Sequence, residues 1–375
     1  RYYPYIPFMS SGTSTNWMLG STYATVINPG NLVSSDLTWE KVSTVNAGLD
    51  LTILQQRLDM SFDYYVRTTS DMLIRTSYPD VLGATAPPAN SAELKTRGWE
   101  LSMKWRDKIG RDFSYELGLI LSDSQAEITK YNNPTGDIST YYVGSKIGEL
   151  WGYETEGLFQ SDEEAANWHD QSKIKSVDWG AGDIKFKDQN GDKAITPGSG
   201  TLSDHGDQVI IGNTTPRYQY GITANLTYKD FYMNIFFQGI GKRDAWFSGN
   251  AFWPAATQYY NVQKWHVEDS WSPENPDAYL PIPRATDDRN RKVKTDRYLQ
   301  DASYCRLKNL TIGWNLPKRW ISKAFLTNAT VYVSGENLFY ISKIKGPYDP
   351  EAVTGNGAMV YPFMRTYSIG VNLTF

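Results

Sequence analysis

The chain has 375 residues, enough for two ordinary domains or one large β architecture. Lys and Arg number 37 against 41 Asp and Glu, a net charge of −4, so no basic field is available to hold a phosphate backbone and no nucleic-acid partner is expected. Aromatic residues make up 14% of a chain whose mean hydropathy is only −0.50, a pairing suited to surfaces half apolar and half wet, and no apolar run approaches the roughly 18 residues of a membrane helix.

Period-two alternation organises the chain. From Thr44 to Ile53, Val45, Ala47, Leu49, Leu51 and Ile53 alternate with polar residues; after a four-residue turn the pattern resumes with Leu58, Met60, Phe62, Tyr64 and Val66. A second pair runs Trp99, Leu101, Met103, Trp105 and then Phe113, Tyr115, Leu117, Leu119, Leu121. A third sets Tyr218 to Tyr228 against Phe231 to Phe237, with only Lys229 and Asp230 between them. Leu310 to Leu316 alternates again, Ala329 to Tyr340 forms a weaker return strand, and the chain ends on Tyr367, Ile369, Val371, Leu373 and Phe375. These patterns predict about nine strands of roughly ten residues, the length that crosses a bilayer at a tilt.

The links alternate short and long, and every long one falls at the same end of the strands, far beyond ordinary hairpin length. This predicts an all-β, membrane-spanning antiparallel barrel with short periplasmic turns, long extracellular loops and a polar lumen face. A soluble, carbohydrate-binding β-sandwich also alternates, but its strands are usually shorter and its loops seldom segregate by length. Residues 1–38 read as an extracellular loop region and 39–375 as barrel strands and loops.

From about Asp36 onward the chain resembles the C-terminal part of SusC/RagA-like TonB-dependent transporters of Bacteroidetes outer membranes. The resemblance is carried by DLTWEKVSTVNAGLDL at 36–51, RLDMSFDYYVRTTSDML at 57–73, GDIKFKDQNGDKAI at 182–195, LQDASYCRLKNLTIGWNLP at 299–317, VYVSGENLFYISKIKGPYDPE at 331–351 and YSIGVNLTF at 367–375. It implies a 22-stranded barrel filled by an N-terminal plug, a SusD-like lipoprotein seated as a lid, and uptake of an oligosaccharide or oligopeptide energised through TonB. About nine strands cannot close such a barrel, and an open edge is not tolerated in hydrocarbon. The expectation is therefore a C-terminal portion with plug and earlier strands outside it, which also accounts for a start, Arg1 to Tyr5, without signal-peptide character. A second function, of a different class, is a SusC-like barrel serving as a structural subunit of a larger outer-membrane assembly.

Several constellations stand out. Gly370, Leu373 and Phe375 look like the terminal signal read by the barrel assembly machinery, whose physical basis would be strand addition at an unpaired edge; Phe375 alone also suits a periplasmic aromatic girdle. Asp188, Asn190 and Asp192 form a D-x-N-G-D run that resembles a calcium loop of the family, with Asp207 as the further acid. Lys193 departs from that pattern, and an Asn-Gly turn is the preferred reading. Otherwise no cofactor is required. Trp246, Phe247, Phe252, Trp253, Tyr259 and Tyr260 sit in one long loop, where aromatic faces suit substrate or lid contact, but a loop of that length needs its own small core to stay folded, and that is the preferred reading. Asp50, Asp63, Glu100, Lys104 and Glu116 fall on the lumen face. Cys305 is the only cysteine and reads as packing. His169, His205 and His266 lack zinc spacing and no nucleophile elbow or P-loop is present, so the reading is no enzyme.

Overall fold

The computed structural model describes residues 6, 9–28, 32–34, 37–75, 87–249, 251–255, 262–353 and 363–375. In chain order the strands are β1 (Ser10–Leu19), β2 (Thr22–Asn28), β3 (Lys41–Ile53), β4 (Leu58–Arg75), β5 (Pro88–Ile109), β6 (Phe113–Lys130), β7 (Glu149–Tyr153), β8 (Thr155–Leu158), β9 (Ile184–Phe186) and β10 (Gln208–Asn213). They continue as β11 (Arg217–Tyr228), β12 (Phe231–Lys242), β13 (Asp244–Ala245), β14 (Gln300–Asp301), β15 (Tyr304–Asn315), β16 (Asn328–Ser342) and β17 (Thr366–Thr374). Three short helices are α1 (Asp162–Ala166), α2 (Lys264–Glu268) and α3 (Lys318–Ile321). No described helix is long and apolar enough to cross a membrane.

Nine of these strands form one sheet in the order β17-β16-β15-β12-β11-β6-β5-β4-β3, which are the nine strands the alternation predicts. Each neighbour follows its predecessor through the chain, as an up-and-down barrel wall requires. The strands are longer than the pattern implies. β5 runs 22 residues, because its first half, Pro88 to Arg97, is held as strand without alternating. There Ala92 is buried and Thr129 donates a 2.7 Å hydrogen bond to Glu93. A hairpin, β1 with β2, turns at Gly20 within residues 1–38, where the sequence suggests only a loop.

The chain divides into two compact units. The first, of residues 1–45, 66–96 and 126–146, holds the β1–β2 hairpin and the loop-side ends of β3 to β6. Its ties include the Lys41–Asp71 ion pair at 2.9 Å and Asn90, which accepts the Thr38 N–H at 2.8 Å.

The second unit shows why the alternating residues make a wall with two different faces. Register places Glu116, Asn225, Asn234, Thr311, Ser334 and Ser368 in one continuous row across β6, β11, β12, β15, β16 and β17. One residue along, on the opposite face, the row reads Tyr115, Leu226, Met233, Ile312, Val333 and Ile369. Successive side chains of a strand point to opposite sides, so a constant register keeps one face polar and the other apolar over six strands. Towards the tight turns the apolar face ends in Phe113, Tyr228, Phe231 and Trp314, with Phe231 stacked on Trp314 at 5.7 Å and 7°. This is an aromatic girdle. The turns are compact: Leu54, Gln55 and Gln56 all take positive φ between β3 and β4, and Lys229 does so between β11 and β12.

The other end carries a folded body. Described residues of the segments 147–216, 243–303 and 343–353 join in one hydrophobic core, with Tyr153, Ile184 and Phe186 from the first, Phe247, Phe252, Leu280 and Tyr298 from the second, and Tyr348 and Val353 from the third. β7 pairs with β10, β8 with β9 and β13 with β14 inside it. Full burial of Asp183 is made tolerable by Arg284 at 2.6 and 2.8 Å, Arg289 at 3.2 Å and Asn290 at 2.9 Å, which tie the first segment to the second.

Candidate functional site: the loop body and the lumen-facing wall

The aromatic loop residues separate on burial. Phe247, Phe252 and Trp253 are 1%, 0% and 2% exposed, so these three fill the core of the loop body and offer no face to a substrate or a lid. Their rings pack on one another and on Tyr348 and Tyr298, with centroids from 4.9 to 6.1 Å apart. The reading as a loop core therefore describes them, and the physical reason is that three long segments without alternation have nothing else to bury. Trp246 is different. It is half-buried, packs on Trp253 with ring centroids 5.8 Å apart and lines a cleft of about 740 Å³. Tyr259 and Tyr260 lie outside the described residues.

The aspartate run folds as a turn. Asp188 accepts the N–H groups of Gly191 at 2.7 Å and Lys193 at 2.9 Å, Asn190 accepts that of Asp192, and Gly191 takes φ +80°. Burial works against the charged form of Asp188, but the Lys193 and Gly191 N–H groups and the nearby His169 outweigh it and hold its carboxyl below the usual range. Asp207, fully buried, accepts from Gln189 at 2.8 Å and Thr196 at 2.7 Å and so closes the same loop. Among the described residues no group of three or more acidic, histidine or cysteine side chains gathers as a metal cluster would.

On the polar face three of the five charged residues named from sequence, Asp63, Lys104 and Glu116, have partners along and across the strands, while Asp50 and Glu100 stand on the same wall. Asp63 accepts from Asn46 at 3.0 Å, and Glu116 lies 3.9 Å from Lys104 and accepts from Asn225 at 3.3 Å. Asp59 pairs with Arg106, and Arg57 with Asp107 at 3.1 Å. The same face holds a feature that the polarity pattern does not announce. Tyr232 lies where a Cβ of Gly313 would stand, Tyr332 does the same at Gly370, and Tyr65 at Gly98. Each ring is thus laid across the neighbouring strand, which only glycine permits.

The terminal strand pairs with β16 from Asn328↔Thr374 to Glu336↔Thr366. Its apolar side chains stand clear of the protein, with Ile369 81% and Phe375 85% exposed. Gly370, by contrast, belongs to the tyrosine-covered row on the other face. The assembly-signal residues thus divide between the two faces.

A family model described as "TonB dependent receptor-like, beta-barrel" matches residues 5–338. The chain belongs to this family. TonB-dependent receptor barrels are outer-membrane proteins, which gives the apolar face its lipid and agrees with the girdle. Among curated relatives, TonB-dependent receptor P3 of Formosa agariphila is 29% identical over 92% of this chain and 35% of its own length. TonB-dependent receptor SusC of Bacteroides thetaiotaomicron is 26% identical over 100% of this chain and 36% of its own. The chain therefore spans little more than a third of the length of the relatives it matches. The solved RagAB peptide transporter shares the fold, with a TM-score of 0.71 and 23% identity over 100% of this chain and 39% of that one. The same assembly in its open-open state gives 0.73 at 22% identity.

Proposed function

We propose that these residues form the C-terminal strands and loops of a plugged outer-membrane importer, closed into a barrel with strands and a plug that lie outside them. In this reading the tight turns and the C-terminus face the periplasm, and residues 1–38 and the long loops face outward. The importer takes up an oligosaccharide or oligopeptide, draws energy through TonB by way of the plug, and works with a SusD-like surface lipoprotein. It has no catalytic role. The barrel assembly machinery would receive the edge of β17.

The observation that carries this reading is the wall itself, a sheet of nine sequential strands of which six keep one apolar and one polar face in a constant register, while three long segments build a folded body at a single end. A receptor needs a rigid external platform over a transmembrane passage, and loops braced by their own core supply one. The test is uptake of labelled oligosaccharides and peptides by the parent bacterium, by a strain lacking this protein and by one lacking TonB. Loss of the same cargo in both mutants supports import. Normal uptake in both, with loss of an envelope complex, assigns the barrel to scaffolding.

A further inference from the structure

The cleft beside Trp246 is built from parts of the loop body that are distant in sequence, and its walls are basic. Arg243 enters just after β12, Lys292 and Lys294 come from the segment before β14, and Arg291 adjoins them. Val293 packs into the core between the two lysines and leaves both exposed. Lys294 is fixed by its backbone: its carbonyl accepts the Tyr153 N–H at 2.9 Å, and Gly152 is the residue that permits this approach, since a Cβ there would meet that carbonyl at 2.6 Å.

Three of these cations, Arg243, Lys292 and Lys294, line the cleft outside any side-chain ion pair among the described residues, although Lys292 also feels the Asp288 carboxylate. Arg243 donates to the carbonyl oxygens of Thr214 at 3.3 Å and Val353 at 3.2 Å, and among the described residues it, Lys292 and Lys294 form no ion pair with a carboxylate. Among the described residues lining the cleft the one acid is Asp244, which accepts the Asn213 N–H at 2.8 Å. Desolvation pushes the Arg243 guanidinium below its ordinary value, the direction expected of a cation short of a counter-charge. An anion would relieve this.

Trp246 indicates which kind of anion. The strands near the cleft are already paired, β10 with β7 and β13 with β14. The Arg243 and Lys294 carbonyls also hold partners, the N–H groups of Ala302 and Tyr153. Acidic peptides and acidic sugars share the need for a charge partner, and a sugar ring in addition uses an apolar ring face, which Trp246 brings to the lining of the cleft. We propose that this cleft binds an acidic sugar unit, bearing a carboxylate or sulfate ester, of the oligosaccharide cargo, with its ring against Trp246 and its anionic group held by Lys292, Lys294 and Arg243. The inference rests on the importer reading for its biological setting, and the cleft exists independently of it.

The experiment is calorimetric titration of the complete protein in detergent with tetragalacturonate, with a sulfated carrageenan tetrasaccharide, with neutral maltotetraose and with tetraglutamate. At least one of the two acidic sugars is expected to bind more tightly than maltotetraose and tetraglutamate. Lys292→Ala with Lys294→Ala should weaken it about tenfold or more, as loss of charged hydrogen bonds implies, and Lys→Arg at both positions should retain binding. Equal binding of acidic and neutral sugars, indifference to the lysine pair, or tighter binding of tetraglutamate would overturn the proposal. Because binding is read without transport, a protein that imports cargo yet fails this titration loses the cleft assignment alone. Lysine-dependent binding by a protein that imports nothing upholds the cleft and removes the importer reading.

Discussion

Single residues decide how tightly the wall is built. At Gly313 the space a side chain would need is occupied by the Tyr232 ring. Gly313→Val should displace that ring and destabilise the barrel by about 1–3 kcal/mol, read as a lower temperature for the heat-induced mobility shift. Gly12→Ala, where nothing lies within 4 Å, should leave it unchanged. A second residue-scale expectation concerns acid. The Arg289 hydrogen bonds, aided by Lys175, hold the Asp287 carboxyl well below its ordinary value of 3.8. A group with a depressed folded pKa stabilises the fold above its unfolded value and loses that contribution as pH falls towards the folded one. Amide exchange in the segments around Lys175 and Asp287 should therefore rise as pH drops below 3.8. Asp287→Asn should remove most of that dependence. Neither feature was legible beforehand, because the glycines read only as small members of polar rows and the partners of Asp287 lie in two separate loops.

Elements divide by the force that shapes them, and this explains what the sequence disclosed. The nine wall strands were visible because each must satisfy two environments at once, and that leaves period-two alternation in the text. The short strands β7 to β10, β13 and β14 were not, since they are set by pairing and packing with other segments of the loop body and need no alternation. The aromatic loop was legible as a cluster, but whether Phe252 faced inward or outward depended on Tyr348, a residue in another loop. Phe252→Ala should cost about 3–5 kcal/mol, as large-to-small substitutions in packed cores do. It should open the loop body to limited proteolysis while the wall stays resistant. The aspartate turn makes a contrasting prediction: backbone N–H groups satisfy Asp188 and Asp207, so chelator is expected to leave the melting of the loop body unchanged. A calcium-dependent rise would instead make the turn a cation site.

At the scale of the whole molecule the sheet has β3 and β17 as its outermost members. A lipid-facing wall cannot leave such edges unpaired, since each free backbone group in hydrocarbon costs several kcal/mol. The complete barrel must join them to further strands, which fits a chain covering 35% of the length of one relative and 36% of another. Phe375, exposed at the end of the last strand, belongs to the part of the wall that would meet the assembly machinery first. Deletion of Phe375 should lower the fraction of protein that reaches the heat-modifiable outer-membrane form, with little change in the stability of the molecules that do. The basic cleft also belongs to this scale. No short window of sequence contains it, because Arg243 and the Lys292–Lys294 segment meet only once three loops have packed together.

The tyrosines laid over glycines have a further effect on traffic. Tyr65, Tyr232 and Tyr332 present ring faces along the polar side of the wall instead of standing out from it. A flat ring face offers a passing chain few hydrogen bonds to hold it. In the importer proposed above, the wall at these pairs would act like a bearing, over which a displaced plug segment or a cargo molecule would slide without being gripped.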